Sequence, residues 1–128
     1  MNILILEDDP LRVVAFRQRL GGHDITHYER SADAVEALKA NTYDLILLDH
    51  DLGGRTYVDH TDAKEDCGMR VAEYFMIHPE HVRKHGPIVV HSLNGPAAQV
   101  MVELIGEAVW IPFVWQRDIW AKYLKFPV

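Results

Sequence analysis

Acidic side chains stand directly after two separate apolar runs of this chain. Ile3-Leu4-Ile5-Leu6 leads into Glu7-Asp8-Asp9, and Leu45-Ile46-Leu47-Leu48 leads into Asp49-His50-Asp51. Carboxylates crowded together repel, and the proton affinity of at least one of them rises. A hard divalent cation such as Mg²⁺ relieves this, because it takes oxygen ligands and keeps several waters. The first expectation is an acidic metal-binding cluster of Glu7, Asp8 and Asp49. Asp9 is set apart as a helix cap before Pro10.

These carboxylates meet only if the runs that carry them lie side by side. Stretches 2–6, 44–48, 87–90 and 108–111 are near-continuously apolar and rich in Ile, Val or Leu. Strands buried on both faces of a parallel sheet need that composition. Residues 24–28 have the mixed polarity of an edge strand. Helical spacing is read over 10–20, 31–40, 68–77, 96–105 and 115–124. In the first helix Leu11 and Val14, with Val13, Phe16 and Leu20 one row over, form the apolar face. Ser31 caps the second, and the fourth starts after Asn94-Gly95 and stops at Gly106.

Strand–helix alternation repeated in this way predicts a doubly wound α/β domain. Its five-stranded parallel sheet would carry helices on both faces, with right-handed crossovers. In strand order 2-1-3-4-5 the first and third strands are neighbours at the switch point, so their terminal carboxylates converge. One connection is long: residues 52–67 exceed the ordinary strand-to-helix loop of about 2–6 residues. It reads as a solvated surface insertion, with a lid as the alternative. Asp59, His60 and Asp62 would reach a site only if it folds inward.

At 128 residues the chain is read as one domain, 1–128. A net charge of −6 and the lack of a long basic stretch argue against strong nonspecific DNA binding. The single cysteine, Cys67, allows no internal disulfide, which suits a reducing compartment. No run is long enough for a membrane span, and the N-terminus lacks a basic leader, so a cytoplasmic location is expected.

The stretch Ile3-Leu4-Ile5-Leu6-Glu7-Asp8-Asp9-Pro10 resembles the opening of a response-regulator receiver domain. Tyr43-Asp44-Leu45-Ile46-Leu47-Leu48-Asp49 resembles that family's phosphoacceptor strand, and Pro87-Ile88-Val89-Val90-His91-Ser92 its fourth strand. The resemblance implies the flavodoxin-like fold. It implies that Glu7 and Asp8 help bind Mg²⁺ or Mn²⁺, and that Asp49 is both metal ligand and phosphoryl acceptor. The backbone carbonyl of Asp51 would be a third protein ligand, and the Ser92 hydroxyl would touch phosphoryl oxygens. The chemistry is consistent, since a carboxylate forms an acyl phosphate when a cation offsets charge on the transferring group. A phosphodonor, either a kinase or a small molecule, would be the partner, and output would pass through a separate protein.

One departure stands out. Receivers place a lysine just before the Pro-Phe that ends the fifth strand, whereas Val109-Trp110-Ile111-Pro112-Phe113 has Ile111 there. Lys122, Lys125 and Arg117 are the cations nearby in sequence. Asp49-His50-Asp51-Leu52-Gly53 and His91-Ser92-Leu93-Asn94 resemble an atypical branch, the cyclic-phosphate processing receiver domains. That resemblance implies a cyclic-phosphate-ended nucleotide or RNA as substrate. His50 and His91 would then serve as general acid and base, and Ser92 and Asn94 as phosphate hydrogen-bond donors. Strand alternation also allows a structural His91 pointing under a helix. Three functions are therefore carried forward: an atypical metal-binding receiver acting at Asp49, a conventional phospho-accepting receiver, and a pseudo-receiver that only binds other proteins.

Overall fold

The computed structural model describes residues 1–53, 58–59, 61 and 65–113. In chain order the elements are β1 (Asn2–Leu6), α1 (Pro10–Arg19), β2 (Asp24–Tyr28), α2 (Ser31–Ala40), β3 (Leu45–Leu48), α3 (Met69–Ile77), α4 (Pro79–Arg83), β4 (Ile88–Val90), α5 (Gly95–Ile105) and β5 (Ala108–Trp110). The strands form one sheet in the order β2-β1-β3-β4-β5, and every pairing is parallel. This is the doubly wound arrangement expected from the alternation of apolar runs and helical spacing. The helix expected over 115–124 lies outside the described residues, as do His60, Asp62, Arg117, Lys122 and Lys125.

Alternation along the strands sorts the core into two halves. Leu4, Leu6, Ile46, Leu48, Ile88 and Val90 pack on the side that also holds Ala34 and Leu38 of α2, Phe75 of α3 and Met101 of α5. Ile3, Ile5, Leu45, Leu47 and Val89 face the other way, against Ala15, Phe16 and Leu20 at α1. The apolar face of α1 differs from the expectation in one respect. Leu11 and Val14 are 74% and 51% exposed, while Val13 and Phe16 are buried. Two adjacent apolar rows compete on that helix, and the row that includes Phe16 is the one that meets Ile3, Ile5 and Leu47.

The short α4 falls in a stretch whose polar sequence, His78-Pro79-Glu80-His81-Val82-Arg83, does not suggest a helix. Pro79 at its first position supplies a preset φ, and Val82 is its one buried residue.

The long connection after β3 is not simply a solvated insertion. Leu52, Val58 and Cys67 are buried. Asp51 and Cys67 form an isolated antiparallel bridge, and the Gly68 amide donates to the His50 carbonyl at 2.8 Å. The two ends of the connection are thus stitched together at the tip of β3. Buried backbone groups need such partners, which explains why the base of the loop turns inward.

Gly68 is required by this closure, because a Cβ there would stand 1.8 Å from the Asp49 carbonyl oxygen. Gly68→Ala is expected to cost more than about 2 kcal/mol in urea denaturation, with the m-value unchanged. A cost below about 0.5 kcal/mol, the scatter of neutral surface changes, would contradict the close approach.

Candidate functional site

The register of the sheet brings three strand ends into one row. Leu6 is aligned with Leu48, and Leu48 with Val90. The ladder continues one residue further, since the amide of Asp49 donates to Leu6 O at 3.0 Å and that of His91 to Leu48 O at 2.9 Å. The next residues in the row are Glu7, Asp49 and His91. By alternation they share the face of Ile5, Leu47 and Val89, which is the side of α1. The His91 ring accordingly meets Phe16 of α1 edge-on at a centroid distance of 4.9 Å.

These three side chains form a tight, dry cluster. One ligand atom from each lies within 4.8 Å of the others, and none is more than 1% exposed. Backbone amides fix one oxygen of each carboxylate. Glu7 Oε2 accepts from Asp8 N (2.9 Å) and Asp9 N (3.2 Å), and Asp49 Oδ1 accepts from His50 N (2.8 Å). The remaining oxygens, Glu7 Oε1 and Asp49 Oδ2, are presented to the cluster. His91 Nε2 lies 3.1 Å from Glu7 Oε1, while its buried Nδ1 has no hydrogen-bond partner.

A cation already stands between the two carboxylates. Arg12 Nη1 is 3.3 Å from Glu7 Oε1 and 3.5 Å from Asp49 Oδ2, and its Nε is 3.6 Å from Asp9 Oδ2. Asp9 is the N-cap of α1, as expected, its Oδ1 accepting from Leu11 N at 2.9 Å. That cap sets the first turn of α1 over the strand ends and delivers Arg12 to the cluster. Sequence reading did not single out Arg12. The available signal was its spacing, three residues beyond a capping aspartate and five beyond Glu7, which places it in the first helical turn.

Burial governs the charge states. Burial pushes Asp49 up to about 7, and the Glu7 carboxylate adds to the rise while Arg12 opposes it. Burial likewise raises Glu7, against the pull of Arg12. Desolvation works against the Arg12 charge, but Glu7, Asp49 and Asp9 outweigh it and hold the guanidinium more firmly ionised. His91 is driven down to about 4 by burial, so near neutral pH it is an uncharged imidazole. One guanidinium serves both carboxylates, and Phe16 covers the His91 ring on the α1 side.

The other expected residues gather elsewhere. His50 Nδ1 lies 2.8 Å from Asp51 Oδ1, which also accepts from Val58 N (2.9 Å) and Asn94 Nδ2 (3.2 Å). Because a carboxylate only accepts, the His50 proton sits on Nδ1 when Asp51 is ionised. Asn94 is the N-cap of α5, its Oδ1 accepting from Ala97 N at 3.4 Å. Ser92 Oγ accepts from Asn94 N at 3.0 Å, and Trp110 Nε1 donates to Ser92 O at 2.8 Å. Asp8 also lines a crevice with Glu29, Arg30, Gly53 and Asp66. Ile111 is buried with Phe16 and Phe113 in the α1-side core. The expected residues therefore divide into a Glu7–Asp49–His91 group and a His50–Asp51–Ser92–Asn94 group. Asp8 adjoins the first group, its side chain interacting with the Glu7 carboxyl.

The Glu7–Asp49–His91 donors fit a divalent ion. They offer two carboxylates and an imidazole, and the guanidinium lodged between the carboxylates shows that this space takes a positive group.

Comparison with known proteins places the fold. In fold, the chain is similar to the Mn²⁺-bound form of response regulator Rcp1, with 18% identity, TM-score 0.72, and 99% and 96% of the two chains covered. It is similar to the receiver domain of a signal transduction histidine kinase from Syntrophus aciditrophicus, at 20% identity, TM-score 0.70 and 97% and 86% coverage. It also resembles response regulator TrrA from Thermotoga maritima, in complex with Mg²⁺ and BeF, at 16% identity, TM-score 0.70 and 97% and 96% coverage. At such identities the likeness establishes a shared fold. No curated protein matches the chain. A family model described as the cyclic-phosphate processing receiver domain matches residues 3–107. With the fold, the aligned strand ends and that match together, the chain belongs to the cyclic-phosphate processing receiver family.

Proposed function

We propose that this chain binds a divalent cation, Mg²⁺ or Mn²⁺, at Glu7 and Asp49 and handles a phosphoryl or cyclic-phosphate group beside Asp49. One observation carries the reading. Two carboxylates on adjacent strand ends are each fixed at one oxygen by backbone amides and open at the other, towards a shared buried point held by a guanidinium. Asp8 and the backbone carbonyl of Asp51 are the further ligands that the family resemblance suggests. When bound, the ion supplies charge neutralisation for phosphate oxygens.

The residues divide the remaining work. Asp49 is the group closest to the chemistry, as nucleophile or as base towards water. His91 is a positioning residue: buried and uncharged, it holds Glu7 Oε1 through Nε2 within the cluster. Asp51 orients His50 through Nδ1, the arrangement by which an imidazole is aimed for proton transfer. Ser92 and Asn94 stand at the start of α5, where backbone amides favour anions. For a cyclic diester, water adds to phosphorus and one ester P–O bond breaks. The water proton ends on the released hydroxyl. Ile111 in place of an ammonium favours this reading over conventional relay.

A second reading, a receiver phosphorylated at Asp49 by a kinase or small phosphodonor, is supported by the fold shared with the TrrA–Mg²⁺–BeF complex. A separate protein would then read the state. Among the described residues no helix is long and apolar enough to cross a membrane.

Two outcomes are expected. Incubation with a 2′,3′-cyclic nucleotide and Mn²⁺, followed by ³¹P NMR, should show ring opening. Asp49→Ala should reduce the rate at least about 100-fold. Equal turnover by Asp49→Ala would remove Asp49 from the chemistry. A stable Asp49 adduct with acetyl phosphate and no ring opening would favour the relay.

The second outcome concerns stability. The Asp49 carboxyl titrates at about 7 folded, against 3.8 as its ordinary value. Between those values the folded chain holds a proton that the unfolded chain has lost. Stability of the metal-free protein should therefore fall as pH rises from about 4 to 7. Asp49→Asn should flatten that slope in thermal melts, and an unchanged slope would refute the buried carboxyl as its source.

A further inference from the structure

The family's lysine position is filled by Ile111, which is buried against Phe16 and Phe113, so no ammonium can come from there. A positive group is nevertheless present at the phosphoryl-accepting carboxylate. Arg12 Nη1 stands 3.5 Å from Asp49 Oδ2. Its side chain is 23% exposed, whereas those of Glu7 and Asp49 are at 0% and 2%. Of the groups described in contact with Asp49 it is the one that solvent reaches. The stem is anchored in the first turn of α1, and the guanidinium carbon lies 5.8 Å from the Phe113 ring centroid. A long side chain with a fixed root and a solvent-reached head can re-aim by rotamer change alone.

We infer that Arg12 is the phosphate-holding cation of this site. Resting between Glu7 and Asp49 in the metal-free chain, it turns to two non-bridging phosphate oxygens once a divalent ion takes over the carboxylates. The inference rests on the metal-binding reading above and deepens it. Two positive groups would not share the space between Glu7 Oε1 and Asp49 Oδ2, so with an ion held there the guanidinium would be displaced to the side on which it already reaches solvent. The planar fork of a guanidinium meets two oxygens of a phosphodiester at once, which a single ammonium does not. Arg12 thereby supplies from α1 what the fifth strand lacks.

The test separates the metal from the anion. Mn²⁺ binding by the full chain is measured by calorimetry. Beryllofluoride binding in saturating Mg²⁺ is then followed by ¹⁹F NMR, for wild type, Arg12→Ala, Arg12→Gln and Arg12→Lys. Arg12→Ala should bind Mn²⁺ at least as tightly as wild type, and up to about 10-fold tighter once the competing cation is gone. Its beryllofluoride affinity should fall at least about 10-fold, with Arg12→Lys recovering part of it. Arg12→Gln, which keeps the bulk and polarity without charge, should behave like Arg12→Ala and serves if Arg12→Ala does not fold. Wild-type beryllofluoride affinity in both neutral variants would overturn the inference while leaving the metal reading intact. Loss of Mn²⁺ and beryllofluoride affinity together would also overturn it, because Arg12 would then be supporting the carboxylates rather than leaving them. Failure of every form, wild type included, to bind Mn²⁺ would refute the metal reading and the inference with it.

Discussion

Two carboxylates buried side by side at the ends of parallel strands set the terms for everything else at this edge of the sheet. Glu7 and Asp49 are essentially out of contact with water. Ionised carboxylates in such a place are costly unless paired and hydrogen-bonded. The protein responds with backbone amides on one oxygen of each, a neutral imidazole behind Glu7, and a guanidinium from α1 shared between the other two. Even so, Asp49 holds its proton up to about 7. One guanidinium shared between two buried carboxylates leaves the cluster short of positive charge.

Why these side chains and not their neighbours is a matter of parity. Odd-numbered residues of β1, β3 and β4 face α1, and even-numbered residues of β1, β3 and β4 face α2, α3 and α5. One step beyond the aligned strand ends, Glu7, Asp49 and His91 inherit the α1 side. Ser92 and Asn94 are instead bound up with the start of α5, and Asp51 joins them through the Asn94 amide. The two groups adjoin because His50 is bonded to both: its amide serves Asp49 and its ring serves Asp51.

Much of this was legible in the chain itself. The strand runs were so strongly apolar that buried parallel strands were the one economical reading, and their bounds moved by about a residue in the structure. Convergence of Glu7 and Asp49 followed from strand order alone. The grouping of the polar residues did not, because it depends on register. Adjacent strand ends suggest His91 as the acid–base partner of His50, while the ladder sets it beside Asp49 and Glu7. Arg12 escaped notice because a single arginine on a helix ordinarily faces water, and only the cap geometry at Asp9 turns it inward. The choice between two apolar rows on α1 likewise rests on what the helix meets, which propensity does not encode.

The stitch at the base of the long connection has an evolutionary consequence. Asp51 pairs with Cys67, and Gly68 is tied back to His50, so the intervening chain leaves and returns at one fixed stem. Lengthening a segment whose ends are already pinned costs only closure entropy, roughly 0.6 kcal/mol for each doubling. Insertions or deletions between the pinned ends leave Asp49 held by its place at the tip of β3. The length of this connection and the position of the carboxylates beneath it are thus free to vary independently.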